Sequence, residues 1–174
     1  MVRAGVFAVG LYCRLVSLRN AAESAWSDVD VQLKRRWDLI PNLVETVKGY
    51  ARHEEGTFAK VTEMRSQAMA ETDPAAKAQA ENGLTRALRS LFAVAESYPE
   101  LKASENFLGL QADLARIEEA IQNARRYYNA VVRDLNTSCE TFPSNLVANA
   151  FSFEKREYFE LDDEAERSAP AVSF

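Results

Sequence analysis

The chain of 174 residues holds one histidine, two cysteines, six glycines and five prolines, and each scarcity closes off a class of protein. A carboxylate-bridged di-iron bundle needs Glu-x-x-His pairs on separate helices. Here the lone His53 has no acid three residues before it. Cys13 and Cys139 are too few for a disulfide framework and form no C-x-x-C pair. A zinc site would have to draw both thiols and His53 from three remote segments. Neither cysteine has a nearby histidine to serve as its base, and no phosphate loop or glycine-rich dinucleotide turn exists. No cofactor, no metal and no catalysis are expected. A net charge of −5 argues against a nucleic-acid surface. The short basic run Lys34, Arg35, Arg36 is soon followed by Asp38 and reads as a solvated helix face rather than a phosphate-binding patch.

Long hydrophobic runs are missing too. "MVRAGVFAVGLYC" is apolar after Arg3, but Arg14 closes it, leaving roughly ten residues where a spanning helix needs about 20. No A-x-A site marks a cleaved signal peptide, and the bulky Tyr12 beside Cys13 speaks against lipoprotein processing. Residues 1–13 read either as the amphipathic start of a helix or as a truncated, anchor-like apolar segment.

What the chain has in abundance is Ala, Glu, Leu, Arg and Lys, which favour helix. A heptad seam runs from Phe107 through Leu110, Leu114, Ile117, Ile121, Ala124, Tyr128 and Val131 to Leu135. Ala120, Tyr127 and Val132 widen it toward a bundle face. A lone helix cannot bury that stripe, so partner helices must exist. Leu15, Leu18, Ala22, Ala25, Trp26, Val29, Leu33 and Trp37 form a second stripe. Leu43, Val47, Tyr50, Phe58, Val61 and Ala68 form a third, and Ala80, Leu84, Leu88, Leu91, Ala95 and Tyr98 a fourth.

The joints follow from capping chemistry. Asp73 caps a helix that Pro74 opens, and Pro99 opens the next. At Pro41, which lacks the N–H that helix continuation needs, Asp38 offers an N-cap. The chain is therefore expected to turn there, with a kink in one continuous helix as the alternative. The expected helices are 14–37, 39–71, 74–97 and 101–137. They form an all-α, up-and-down antiparallel four-helix bundle over residues 14–138. That topology sets Cys13 and Cys139 apart in height by something like 20 Å. Residues 139–174 form a tail with a short helix from Pro143, an acidic run from Asp162 to Glu166 and an extended, flexible end. Phe142, Phe151, Phe153, Tyr158 and Phe159 either fold back over the bundle or dock to a partner or membrane surface. Phe174 at the chain end is a candidate for strand addition to a partner.

Three segments, "LYCRLVSLRNAAESAWSDVDVQLKRRWDLIPNLVETVKGYARHE", "AVAESYPELKASENFLGLQADL" and "TFPSNLVANAFSFEKREYFELDDEAERSAPAVSF", closely resemble the bacterial LemA family over about residues 11 to 174. The resemblance implies a four-helix up-down bundle, an N-terminal transmembrane helix and a bundle outside the cytoplasm. It carries no catalytic residues. Asp30, Arg35, Arg36, Asp38, Pro41 and Asn42 belong to the shared motif; they could serve a scaffold or a ligand-binding bundle, and helix-end polar networks explain them as well. Eleven residues precede Tyr12, fewer than the about 20 an anchor requires, so the chain is expected either to begin inside its anchor or to be peripheral. The expected function is a non-enzymatic, membrane-associated scaffold or interaction module. Its partner is a membrane or membrane protein, no nucleic acid is involved, and a homo-oligomer is left open. The alternative is a soluble ligand-binding or enzymatic bundle. A polar cluster buried at the centre would favour the alternative; an uninterrupted apolar core with exposed aromatics would favour the scaffold.

Overall fold

The computed structural model describes residues 2–161, with side chains from Val6 onward. Among them there is no strand. The acidic run from Asp162, the extended end and Phe174 lie outside the described residues. The first helix, α1, spans Val2–Lys48 and passes straight through Pro41. The expected turn at that proline is therefore incorrect, and Asp38 is an exposed residue of the helix interior rather than a cap.

The physical reason lies one helix away. A proline inside a helix leaves the carbonyl four residues earlier without its donor. That carbonyl belongs to Trp37, and Arg65 Nε of α2 (Glu55–Ala70) donates to it at 2.7 Å. The side chain replaces the lost backbone bond. Leu33, Trp37, Ile40, Leu43, Val44 and Val47 then continue one buried stripe across the proline without a change of phase. The reversal comes later, where Tyr50 N and Ala51 N both donate to Val47 O. Arg65→Ala should cost about 1–3 kcal/mol by orphaning the Trp37 carbonyl. In a Pro41→Ala background, where residue 41 again has an N–H, the cost should shrink. A double-mutant cycle read by urea unfolding checks this.

Helix α3 (Pro74–Glu96) starts as expected. Asp73 accepts from Ala76 N at 3.0 Å and Pro74 takes the first helical position. Pro99, however, opens only the single turn α4 (Pro99–Lys102). The long helix α5 (Glu105–Glu140) has its own cap in Ser104, which accepts from Phe107 N. A short α6 (Ser144–Ala150) follows.

The heptad seam is buried in its register. Phe107, Leu114, Ile121, Tyr128 and Leu135 are in the core, while Leu110, Ile117, Ala124 and Val131 flank it half-buried. Helices α1 and α5 run antiparallel: Thr46 meets Asn106, Arg36 meets Glu118, and Trp26 meets Tyr128. Helix α3 runs parallel to α1, since Asp30 meets Lys77 and Arg36 meets Thr85. Helices α2 and α3 approach closely at Gly83, where a Cβ would stand 3.2 Å from Met64 Sδ. Because α1 continues to Lys48, its lower arm gains about ten residues over the expected one. That removes the height difference assigned to the thiols: the α1/α5 register sets Cys139 opposite the turn holding Cys13 and Leu15. Both thiols are free.

Candidate functional site

The basic run at 34–36 was expected to face solvent. Lys34 and Arg35 do, but Arg36 is 1% exposed. The phase of α1 explains the difference: Leu33, Arg36, Trp37 and Ile40 share the inward face, so Arg36 is carried into the core with them. Opposite it, Glu81 occupies a core position on α3 between Ala78 and Leu84, and is fully buried. Arg36 Nη1 donates to Glu81 Oε2 at 2.7 Å, and Nη2 donates to Thr85 Oγ1 at 2.8 Å. Trp37 Nε1 donates to the second Glu81 oxygen at 2.7 Å. Arg36 Nε lies 2.9 Å from Glu118 Oε1 of α5, an ion-pair distance with an N–H direction unsuited to a hydrogen bond. Lys77 Nζ, beside the cluster, pairs with Asp30 at 2.7 Å and lies 5.3 Å from the Trp37 ring centroid.

One guanidinium thus serves two carboxylates. Burial pushes the Glu81 carboxyl above its ordinary range, against the pull of Arg36 and Trp37. Burial raises Glu118 as well, again opposed by Arg36. The arrangement pins three helices together at one height: α1 through Arg36, α3 through Glu81 and Thr85, and α5 through Glu118. A cavity of about 270 Å³ opens beside it, and its lining includes Arg36, Glu118, Leu88, Phe92 and Leu114. Among the described residues no group of His, Cys, Asp and Glu side chains is placed to hold a metal ion.

The aromatic tail divides into two parts. At the upper end of α1, Tyr12 packs at a tilt against Phe151, with ring centroids 4.8 Å apart, and edge-on against Phe153 at 5.8 Å. At this end of the molecule Val6, Phe7, Val9, Phe142, Leu146 and Phe151 are exposed, Phe142 by 75% and Phe7 by 58%. Beyond α6 the chain turns at Ser152 and descends as an extended strap over residues 153–161. Phe159 is fully buried edge-on against Trp26, 5.4 Å from its ring, and the Trp26 ring in turn meets Tyr128 at 5.1 Å. It presents no ring to a partner. Phe153 is half-buried, and Tyr158 is 38% exposed.

The strap is held by two asparagines that sequence reading did not single out and by Tyr128, which it read as part of the seam. Asn136 and Asn129 bond the backbone of Arg156 and Phe159, and Tyr128 Oη donates to Glu157 O. Of the shared-motif residues, Arg36, Asp30 and Pro41 take part in the interactions described. Arg35 reaches only Gln32, and Asn42 contributes its carbonyl to Thr46. Glu81 and Arg36 were legible in principle: each is a charge standing on an otherwise apolar stripe, and the two signs are opposite.

An all-helical protein pinned by a buried ionic cluster and wrapped by its own C-terminal segment is the class this geometry defines. The LemA family model matches residues 25–174, and the chain belongs to the LemA family. Protein LemA of Metamycoplasma hominis is 28% identical over 144 residues, covering 80% of this chain and 64% of that protein. Two magnetosome proteins of Paramagnetospirillum magneticum, MamQ 2 and MamQ 1, are each 23% identical over 175 residues, covering 86% of this chain and 64% of theirs. The chain therefore spans 64% of the length of these curated relatives.

Proposed function

We propose that this protein is a non-enzymatic scaffold that docks to a membrane surface through the end where α1 begins and α6 lies. In this reading α1, α2, α3 and α5 act as an up-and-down four-helix bundle that holds that end away from the Gly49–Glu54 turn. The carrying observation is that exposed Val6, Phe7 and Val9 of α1 and exposed Phe142, Leu146 and Phe151 lie at the same end of the molecule, where Tyr12 packs against Phe151. Such a patch exceeds the scattered apolar exposure of an ordinary surface. No helix of the described residues is long and apolar enough to cross a membrane, so the patch is read as lying in the interface. As the family resemblance implies, the body of the protein is assigned to the extracytoplasmic side.

Vesicle co-sedimentation tests the reading, using phosphatidylcholine with a minor fraction of phosphatidylglycerol. The Phe142→Ser, Leu146→Ser, Phe151→Ser triple variant should partition at least about tenfold more weakly, since each lost apolar side chain is worth about 1.5–3 kcal/mol when fully buried and a part of that at an interface. Tyr50→Ser, at the far end, should bind like the parent. A triple variant that binds as well as the parent would remove the proposal.

The buried polar cluster and its cavity favour a second reading, a ligand-binding or enzymatic bundle. Against it, Arg36 is already engaged by Glu81, Thr85 and Glu118, leaving little of its charge for a ligand.

A further inference from the structure

The contacts that hold residues 153–161 have the form of peptide recognition. Asn136 donates through Nδ2 to Arg156 O and accepts from Arg156 N, both at 2.9 Å. Asn129 repeats the pattern on Phe159, at 3.0 and 2.9 Å. The two asparagines are seven residues apart on α5, about 10.5 Å along a helix. Arg156 and Phe159 are three residues apart in an extended chain, about 10 Å. The two spacings match, so a helix face reads a strand backbone without regard to its side chains. Specificity comes from two ring sites: Phe159 against Trp26, and Phe153 against Tyr12, with the Arg19 guanidinium 5.4 Å from the Phe153 centroid. Arg156–Glu23 and Lys155–Glu140 ion pairs set the direction.

The strap enters this groove through Ser152, whose φ of 55° is the one positive φ of a non-glycine residue among the described residues. Phe153 N donates to Ala148 O and Ser152 N to Asn149 O, the helix-ending turn that ordinarily uses glycine at this position. A serine there carries a conformational cost.

We propose that the strap is exchangeable: the α1/α5 groove is a receptor for an extended segment, and its occupant in trans is residues 153–161 of a second copy of this chain. The second copy is the partner the geometry favours because it carries the matching ligand. Reciprocal exchange restores the contacts of the strap with the groove in trans and relieves Ser152; against it stand the two hydrogen bonds of the helix-ending turn and the entropy of association. A foreign peptide would have to displace a segment tethered at an effective concentration in the millimolar range. The proposal does not depend on the lipid reading.

Hinge variants of the full chain test it, with mass measured by light scattering and helicity by circular dichroism. Ser152→Pro forbids the positive φ and should raise the dimerisation constant at least tenfold, whereas Ser152→Gly should lower it. Adding Asn129→Ala and Asn136→Ala to the proline variant should return it to monomer. A folded proline variant that stays monomeric, or one that dimerises equally well without the asparagines, overturns the proposal. If the proline variant does not fold, a fluorescent peptide of residues 152–161 is titrated against the full Phe159→Ala chain. Saturable binding that is lost without Asn129 and Asn136 supports exchange; no binding overturns it.

Discussion

Arg36→Met should destabilise the protein by about 3–5 kcal/mol, the range for breaking a buried ion pair and leaving its partner uncompensated. Glu81 has no route to water, and Glu118 would lose its counter-ion at the same step. A domain of ordinary stability has about 5–15 kcal/mol in all, so the variant should unfold at visibly lower urea concentration. The loss should depend on pH in a stated direction. The folded-state pKa of Glu81 already lies above its unfolded value because of burial. Removing Arg36 takes away a contribution that lowers it, so the pKa climbs further. A raised carboxyl contributes stability below the unfolded carboxylate range and loses it as pH rises through the folded value. The gap between Arg36→Met and the parent should therefore be smallest near pH 4 and widest at alkaline pH, as urea unfolding across that range would show. A constant gap would mean that Glu81 does not titrate with folding.

Phe159→Ala is the second large effect, about 3 kcal/mol or more, because it empties a fully buried aromatic site. The loss should be local in character. With the ring gone, the Phe159 amide is released from Asn129, and its hydrogen exchange should approach that of an open chain. Trp26 should shift its emission to longer wavelength as water reaches it. The α5 core around Ile121 and Leu114 should keep its protection. Tyr158→Ala, one residue away and 38% exposed, should change stability by less than about 0.5 kcal/mol.

The helical fold was readable because burial follows period. The α5 seam needed only the 3–4 spacing of its apolar residues, and Asp73–Pro74 announced a helix start by capping chemistry alone. Pro41 was misleading because the group that tolerates it, Arg65, lies on another helix, 28 positions from the Trp37 carbonyl it bonds. A local rule assigns the cost of a proline, and only the packed structure supplies the donor that offsets it. Arg36 was misread for a related reason. In sequence it belongs to a basic run, whereas helical phase makes it a neighbour of Leu33 and Ile40. The aromatic tail was recognised as a feature, but which rings face in depended on Asn129 and Asn136. These are two unremarkable polar residues whose spacing has meaning only beside an extended chain. Among the described residues the exposed rings at 142 and 151 stayed candidates for docking, and Phe159 became core.

The account rests on α1 being one rod through Pro41, since that sets the register with α5 and brings the start of α1 to the side of α6. Nitroxides at Asp28→Cys and Lys48→Cys, both exposed positions, with Cys13 and Cys139 replaced by serine, read this directly by pulsed dipolar spectroscopy. Twenty residues of continuous helix place them about 30 Å apart. A separation near 10 Å, the spacing of two packed helices, would mean that the chain reverses at the proline and would contradict the account.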